Sequence, residues 1–249
     1  MTASLTDTTV GNSLAPANPR AIPPPFTTTR PAVSLPASRT ARRSSRAHHP
    51  DRDSRTAILD AASSLIADGG FVAATTRNIA ELTGMASGAV ERQFGSHYDL
   101  LAAVFQRLAA TELAAVDHAS RIHGSTATER LTALVGAFAT RALHGRHTAE
   151  ALLFEPVGAR VNQERLTCRR QYHALIVGII ADGVGSGELP ARNPTTSARA
   201  VTGTVVESLL GHLSPTVPVP GDGRDGKDAT PPLIDEVTEL VLRLVGARC

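Results

Sequence analysis

TTRNIAELTGMASGAVERQF, residues 75–94, is the stretch on which the reading of this chain turns. Thr76 is a good N-cap, so a short helix is predicted to start at Arg77. Ile79, Ala80 and Leu82 are expected to face inward. Gly84 breaks the helix, and Met85 is the apolar residue a tight turn would bury. A second short helix, about 87–94, follows with Val90 and Phe94 inward. Short helix, glycine turn, short helix is the plan of a helix-turn-helix: one helix braces on the DNA backbone and the next fits the major groove. The same spacing also fits an ordinary corner between two helices.

Outward from this stretch the chain reads as all-α. Strand signals are absent, because no sustained alternation of β-branched residues is bounded by hairpin turns. Helical spacing recurs instead. Ile58, Ala62, Leu65 and Ile66 mark a helix over about 53–68, stopped by Gly69-Gly70. Leu100 to Leu108, Leu131 to Leu143, Cys168 to Ile179, Val201 to Leu213 and Leu233 to Leu244 carry five more apolar stripes. About eight or nine helices are expected. Residues 214–232, rich in Pro, Gly and Asp, read as a long loop. Residues 1–50 hold half of the 16 prolines and few large apolar residues, and are expected to be a disordered tail.

Charge is uneven. The net +2 conceals an N-terminal segment, residues 1–50, with six arginines against Asp7. Residues 51–110 carry five arginines against seven carboxylates. The cluster at 39–46 suits an arm that lies on phosphates or enters a minor groove, and equally suits a solvated tail. No apolar run reaches the length of a membrane helix, and no export signal is recognisable. Two cysteines among 249 residues exclude a disulfide framework and fit a reducing cytoplasm.

Residues 54–105 resemble the TetR family of transcriptional regulators. The resemblance rests on SRTAILDAA (54–62), GGF (69–71), TTRNIA (75–80), TGM (83–85), FGS (94–96) and DLL (99–101), in register over some fifty residues. It implies a three-helix DNA-binding domain over 51–110 and a helical effector-binding and dimerising bundle over 111–249. It implies a homodimer on a near-palindromic DNA operator, released by a small apolar effector, and thus a repressor. The DNA-contacting positions it implies are Arg55, Thr76, Arg77, Ser87, Gly88, Ala89, Arg92, Gln93, His97 and Tyr98. There are departures. Where the family usually has Tyr and Lys for phosphate contacts, this chain has Glu91 and His97. Ala86, Ser87 and Ala89 replace a usual Ser cap, Lys and Thr. An alternative is therefore a TetR-like protein with weakened DNA binding that acts mainly through ligand or protein contacts.

In the C-terminal half, Phe138, Phe154, Cys168, Tyr172, His173 and Ile176 are the candidate ligand-binding residues. Tyr172 and His173 can each hydrogen-bond a ligand enclosed by aliphatic side chains. Tyr172 also fits as a core residue with a satisfied hydroxyl. His144 and His147, three apart, fall on one face of a continuous helix, but no further group completes a metal spacing, so no metal or cofactor is expected. Ala200, Gly203 and Gly211 leave room for a helix of a second subunit, and equally suit close packing within the chain. No enzyme is expected: residues 183–187 (GVGSG) follow a helix, lack a phosphate-binding lysine, and read as a helix end and turn.

Overall fold

The computed structural model describes residues 50–214 and 230–247. The expected tail with its 39–46 cluster, and most of the 214–232 loop, lie outside them. Among the described residues there are nine α-helices, one 3-10 turn and no strand. They are α1 (Pro50–Gly69), the 3-10 turn (Phe71–Ala73), α2 (Thr76–Thr83), α3 (Ser87–Phe94), α4 (His97–Ile122), α5 (Ala127–His144), α6 (Arg146–Leu153), α7 (Ala159–Gly185), α8 (Pro194–Leu213) and α9 (Thr230–Val245).

Two apolar clusters organise the packing. The first is built from Ile58, Ala62, Ile66, Phe71, Ile79, Val90 and the first half of α4, which contributes Leu100, Val104 and Phe105. Ala151 of α6 and Val161 of α7 complete it. The second joins the far half of α4 to α5, α7, α8 and α9. The 26-residue α4 spans both clusters, so a displacement at one end is carried rigidly to the other.

Local details differ from the sequence expectations in a few places. Thr75, not Thr76, caps α2: its Oγ1 accepts the Asn78 N–H at 3.1 Å. Leu82 is 59% exposed rather than inward. The buried stripe of α2 runs through Ile79, Ala80 and the half-buried Thr83, and Leu82 falls about 100° to one side of it. Helix α9 begins at Thr230, so Pro231 and Pro232 belong to its first turn rather than to the loop. A proline costs nothing there, because the first-turn N–H groups have no intrahelical acceptor. Gly145 separates His144 from His147, ending α5 and preceding α6, so the two imidazoles do not share one helical face. Each engages a backbone carbonyl instead, His144 that of Thr140 and His147 that of Asp68.

Two glycines are required by geometry. Gly84 has φ 67°, the left-handed turn between α2 and α3. Gly183 lies where a Cβ would come within 2.6 Å of Ala127 Cβ, so α7 and α5 can meet only over a bare backbone. The 183–187 stretch is indeed the end of α7 and a turn, with Gly187 at φ 77°.

Candidate DNA-contact surface and effector cavity

Helices α2 and α3 form the corner that the sequence predicts. Ile79, Ala80 and Val90 anchor it in the first cluster, and Met85 packs half-buried beneath the turn. Ser87, Gly88 and Arg92 of α3 are exposed, and the Arg92 guanidinium lies back over Gly88, 3.7 Å from where a Cβ would stand. Glu91 is exposed on the same short helix. Ala86 provides no side-chain cap, as its missing oxygen dictates.

The remaining candidate contacts are held in different ways. Thr76 Oγ1 and His97 Nδ1 share a hydrogen bond of 3.2 Å, which ties the starts of α2 and α4 together. Arg77 is exposed and pairs with Glu81 one turn on. The Arg55 guanidinium stacks 4.0 Å above the Phe94 ring and donates to the Gln93 carbonyl at 2.7 Å. It thereby satisfies a last-turn oxygen of α3. Ala89 is half-buried. Tyr98 is 64% exposed and stands beside Gly158 at the start of α7.

Behind this surface, three contacts join the α1 corner and the start of α4 to α6 and α7. The Glu155 carboxylate accepts the N–H groups of Phe71 at 2.8 Å and Val72 at 3.2 Å. His147 donates to the Asp68 carbonyl at 3.2 Å. Arg160 donates from Nε to Asp99 at 2.9 Å. Glu155 is itself fixed by Arg165, which donates to the carbonyls of Leu152 (2.9 Å), Ala151 (3.1 Å) and Glu155 (2.8 Å). These are the free carbonyls at the end of α6, and a guanidinium suits them in charge and number.

Arg165 also lines a cavity of about 110 Å³ bounded by α4 to α8. Its walls are predominantly apolar, from Phe105, Leu134, Ile176, Val201 and Val205 among others. Four of the six expected ligand-binding residues line it: Phe138, Cys168, Tyr172 and Ile176. Phe154 instead packs half-buried against the second cluster. His173 lies one residue around α7 from the lining. Burial and the charges of Arg169 and Arg199 hold it below the ordinary histidine value. The rings of Tyr172 and Phe138 meet edge to face at 5.7 Å. The Tyr172 hydroxyl has no hydrogen-bond partner among the described residues, and burial keeps it protonated well above its usual range. Burial likewise pushes the Cys168 thiol up, which makes it a poor nucleophile.

The sequence reading missed the polar element of this cavity. Arg141 and Glu112 line it and form a bidentate pair, Nε–Oε2 2.6 Å and Nη2–Oε1 2.9 Å, with side chains only 9% and 16% exposed. The signal was present: Arg141 interrupts the stripe Leu134, Phe138, Ala142, and Glu112 extends Phe105 and Ala109 at i+7. Among the described residues no group of three histidine, cysteine or carboxylate side chains is placed to hold a metal, and no helix is long and apolar enough to cross a membrane.

Residues 58–104 match the family model described as bacterial regulatory proteins, tetR family. Residues 124–209 match the model described as tetracyclin repressor-like, C-terminal domain. No curated protein sequence matches the chain. Solved structures with the same fold include the transcriptional regulator FadR from Bacillus subtilis in complex with stearoyl-CoA. It is 21% identical with TM-score 0.62, over 78% of this chain and 99% of that one. The fatty acid degradation regulator FadR from Bacillus halodurans is 19% identical with TM-score 0.61, over 78% and 99%. A regulator of the TetR/AcrR family from Thermobifida fusca is 24% identical with TM-score 0.56, over 79% and 100%.

Proposed function

Since the chain belongs to the TetR family of transcriptional regulators, we propose that it is a sequence-specific repressor whose grip on DNA is released by a small, mainly apolar effector. The observation that carries this reading is the pairing of an exposed recognition helix with a largely apolar cavity in one chain. Residues 51–110 act as the DNA-binding domain, with α3 placed in the major groove through Ser87, Gly88, Arg92 and Gln93. Residues 111–249 bind the effector and form a homodimer. The exposed Ala200 and Gly203 of α8 and the exposed Leu240 of α9 supply a seam of small and apolar residues for the second subunit. A two-fold dimer then requires a near-palindromic operator. Such a protein works in the cytoplasm, where its operator is.

The switch runs through Arg165 and Glu155. An effector entering the cavity presses on Leu152, Leu153 and Arg165, which position the corner that holds the Phe71 and Val72 N–H groups. A ligand that favours a displaced corner re-aims α1 and α4, and with them α3. By linkage it weakens DNA binding as much as DNA weakens ligand binding.

The test is selection of fragments of the source genome by full-length protein at two salt concentrations, followed by sequencing. One near-palindromic sequence bound by a dimer is the expected result. Equal recovery of all fragments, or of none, would refute specific DNA binding. Glu91 and the internal engagement of Arg55 and Arg77 favour a second reading in that event: a family member that acts through ligand or protein contacts.

A further inference from the structure

Charge around the cavity is unbalanced, and the imbalance has a direction. Three arginines line it, Arg141, Arg165 and Arg169, against one carboxylate, Glu112. Glu112 is taken up bidentately by Arg141. Arg165 spends its donors on the backbone oxygens at the end of α6. Arg169 has no ion pair among the described residues, and it is the one exposed residue of the lining, which puts it at the mouth. Arg199 of α8, also exposed and without an ion pair among the described residues, shares its neighbour His173. Arg199 precedes the lining residues Val201 and Thr202 on α8, and both arginines lie near that imidazole, so the two cations stand close together on the α7–α8 side of the chamber. An apolar chamber with a cationic rim is complementary to a molecule that has one anionic end.

Resting on the effector reading above, we propose that the effector is an anionic amphiphile. Its apolar body enters between Phe138, Ile176 and Val205, and its carboxylate or phosphate stays at the rim on Arg169 and Arg199. The enclosed volume of about 110 Å³ lies below the roughly 150 Å³ of a cavity that holds a benzene ring. The chamber therefore takes only the terminal carbons of an alkyl chain, and the rest of the chain leads the head out to the rim. A guanidinium is suited to that head, because its planar fork donates two parallel hydrogen bonds to one carboxylate or phosphate. The cost of burying a charge is avoided, since the head remains in contact with water.

The experiment is calorimetric titration of the full-length protein with four probes that share one alkyl chain: octanoate, octyl phosphate, 1-octanol and octylamine. The two anions are expected to bind about tenfold more tightly than the alcohol, as a charge-assisted hydrogen bond requires. Octylamine is expected to bind most weakly, and added salt to narrow the gap. The order of octanoate and octyl phosphate tells which head group is preferred. Replacing Arg169→Gln and Arg199→Gln together, both exposed, is expected to abolish the preference for the anions while 1-octanol still binds. Equal binding of 1-octanol and octanoate overturns the proposal and leaves the effector cavity standing. A preference that survives in the double variant overturns it too. No binding of any of the four removes the effector reading itself.

Discussion

The recognition corner and the effector cavity use their charged residues in opposite ways. At the corner, charged side chains are exposed and make local contacts: Arg77 with Glu81, Arg55 with the Gln93 carbonyl and the Phe94 ring. Exposed pairs of this kind contribute little to stability and are easily redirected, as binding to phosphates demands. At the cavity, Glu112 and Arg141 are enclosed by apolar walls and satisfy each other with two short hydrogen bonds. There a charge cannot be left alone. The contrast implies that single charged residues can be exchanged in the first region, whereas the second keeps its polar group only as a unit.

The sharpest way to break this contrast is to remove one half of the enclosed pair. Glu112→Ala strands a buried guanidinium and is expected to cost roughly 3–5 kcal/mol, read as a large fall in melting temperature. The double substitution Glu112→Gln with Arg141→Met leaves no stranded charge and should recover most of the loss. If the single and double variants melt together, the pair is not the unit described here. By comparison, Arg77→Ala at the corner is expected to stay within about 0.5 kcal/mol.

A smaller effect is expected at the contact between the two regions. Glu155→Ala removes the acceptor of the Phe71 and Val72 N–H groups and should cost about 2 kcal/mol. Hydrogen exchange checks this more directly than melting does. The Phe71 and Val72 amides should lose protection in the variant, while amides in the middle of α5 keep theirs. Unchanged protection at both amides would mean that Glu155 does not hold the corner.

At the corner itself, Glu91→Lys reverses the charge of an exposed residue on α3. Binding to a random duplex should tighten, and the slope of log affinity against log salt should steepen by roughly 0.9 for each added phosphate contact. The melting temperature should hardly move. An unchanged salt slope would place residue 91 away from the phosphates.

These regions were also unequally legible in the sequence. Residues 75–94 showed their turn because Gly84, the short apolar spacing and a threonine cap are local signals, wrong only by one residue at Thr75 and one face at Leu82. Phe138, Cys168, Tyr172 and Ile176 could be assigned to the cavity because they lie on two regular stripes. The Glu112–Arg141 pair spans 29 residues and the Glu155 contact to Phe71 spans 84, and no periodicity reports which distant helices meet. His173 was misplaced for the same reason: a 100° step around α7 separates it from Tyr172, and only packing decides which of the two faces inward.

Acid should give the smallest and most graded effect, and it distinguishes the contact between the regions from the helix caps within one of them. The Ser96 hydroxyl first, and then Arg160, hold the Asp99 carboxyl below its ordinary 3.8. The Ser125 hydroxyl and N–H, with the Thr126 N–H, hold Glu129 below 4.5. Burial opposes ionisation of Glu188, but its bonds to Thr128 and the Ala127 N–H overcome that and lower it as well. Each carboxylate binds its proton less readily folded than unfolded. The stability it supplies is therefore complete above the ordinary carboxylate values and is lost as pH falls through them toward the lower folded ones. Melting temperature should fall slightly as pH drops below about 6.5, where the half-buried His173 resists the proton it accepts unfolded, and decline more steeply below about 5 as the carboxylates are protonated. Asp99→Asn removes one of the three and should make that decline shallower. Glu188→Gln should do the same and in addition weaken the start of α5, where the carboxylate accepts two backbone N–H groups at 2.7 Å. If Asp99→Asn leaves the acid limb unchanged while Glu188→Gln flattens it, acid acts on the caps of the effector bundle, and the Asp99–Arg160 contact between the regions contributes nothing to holding them together.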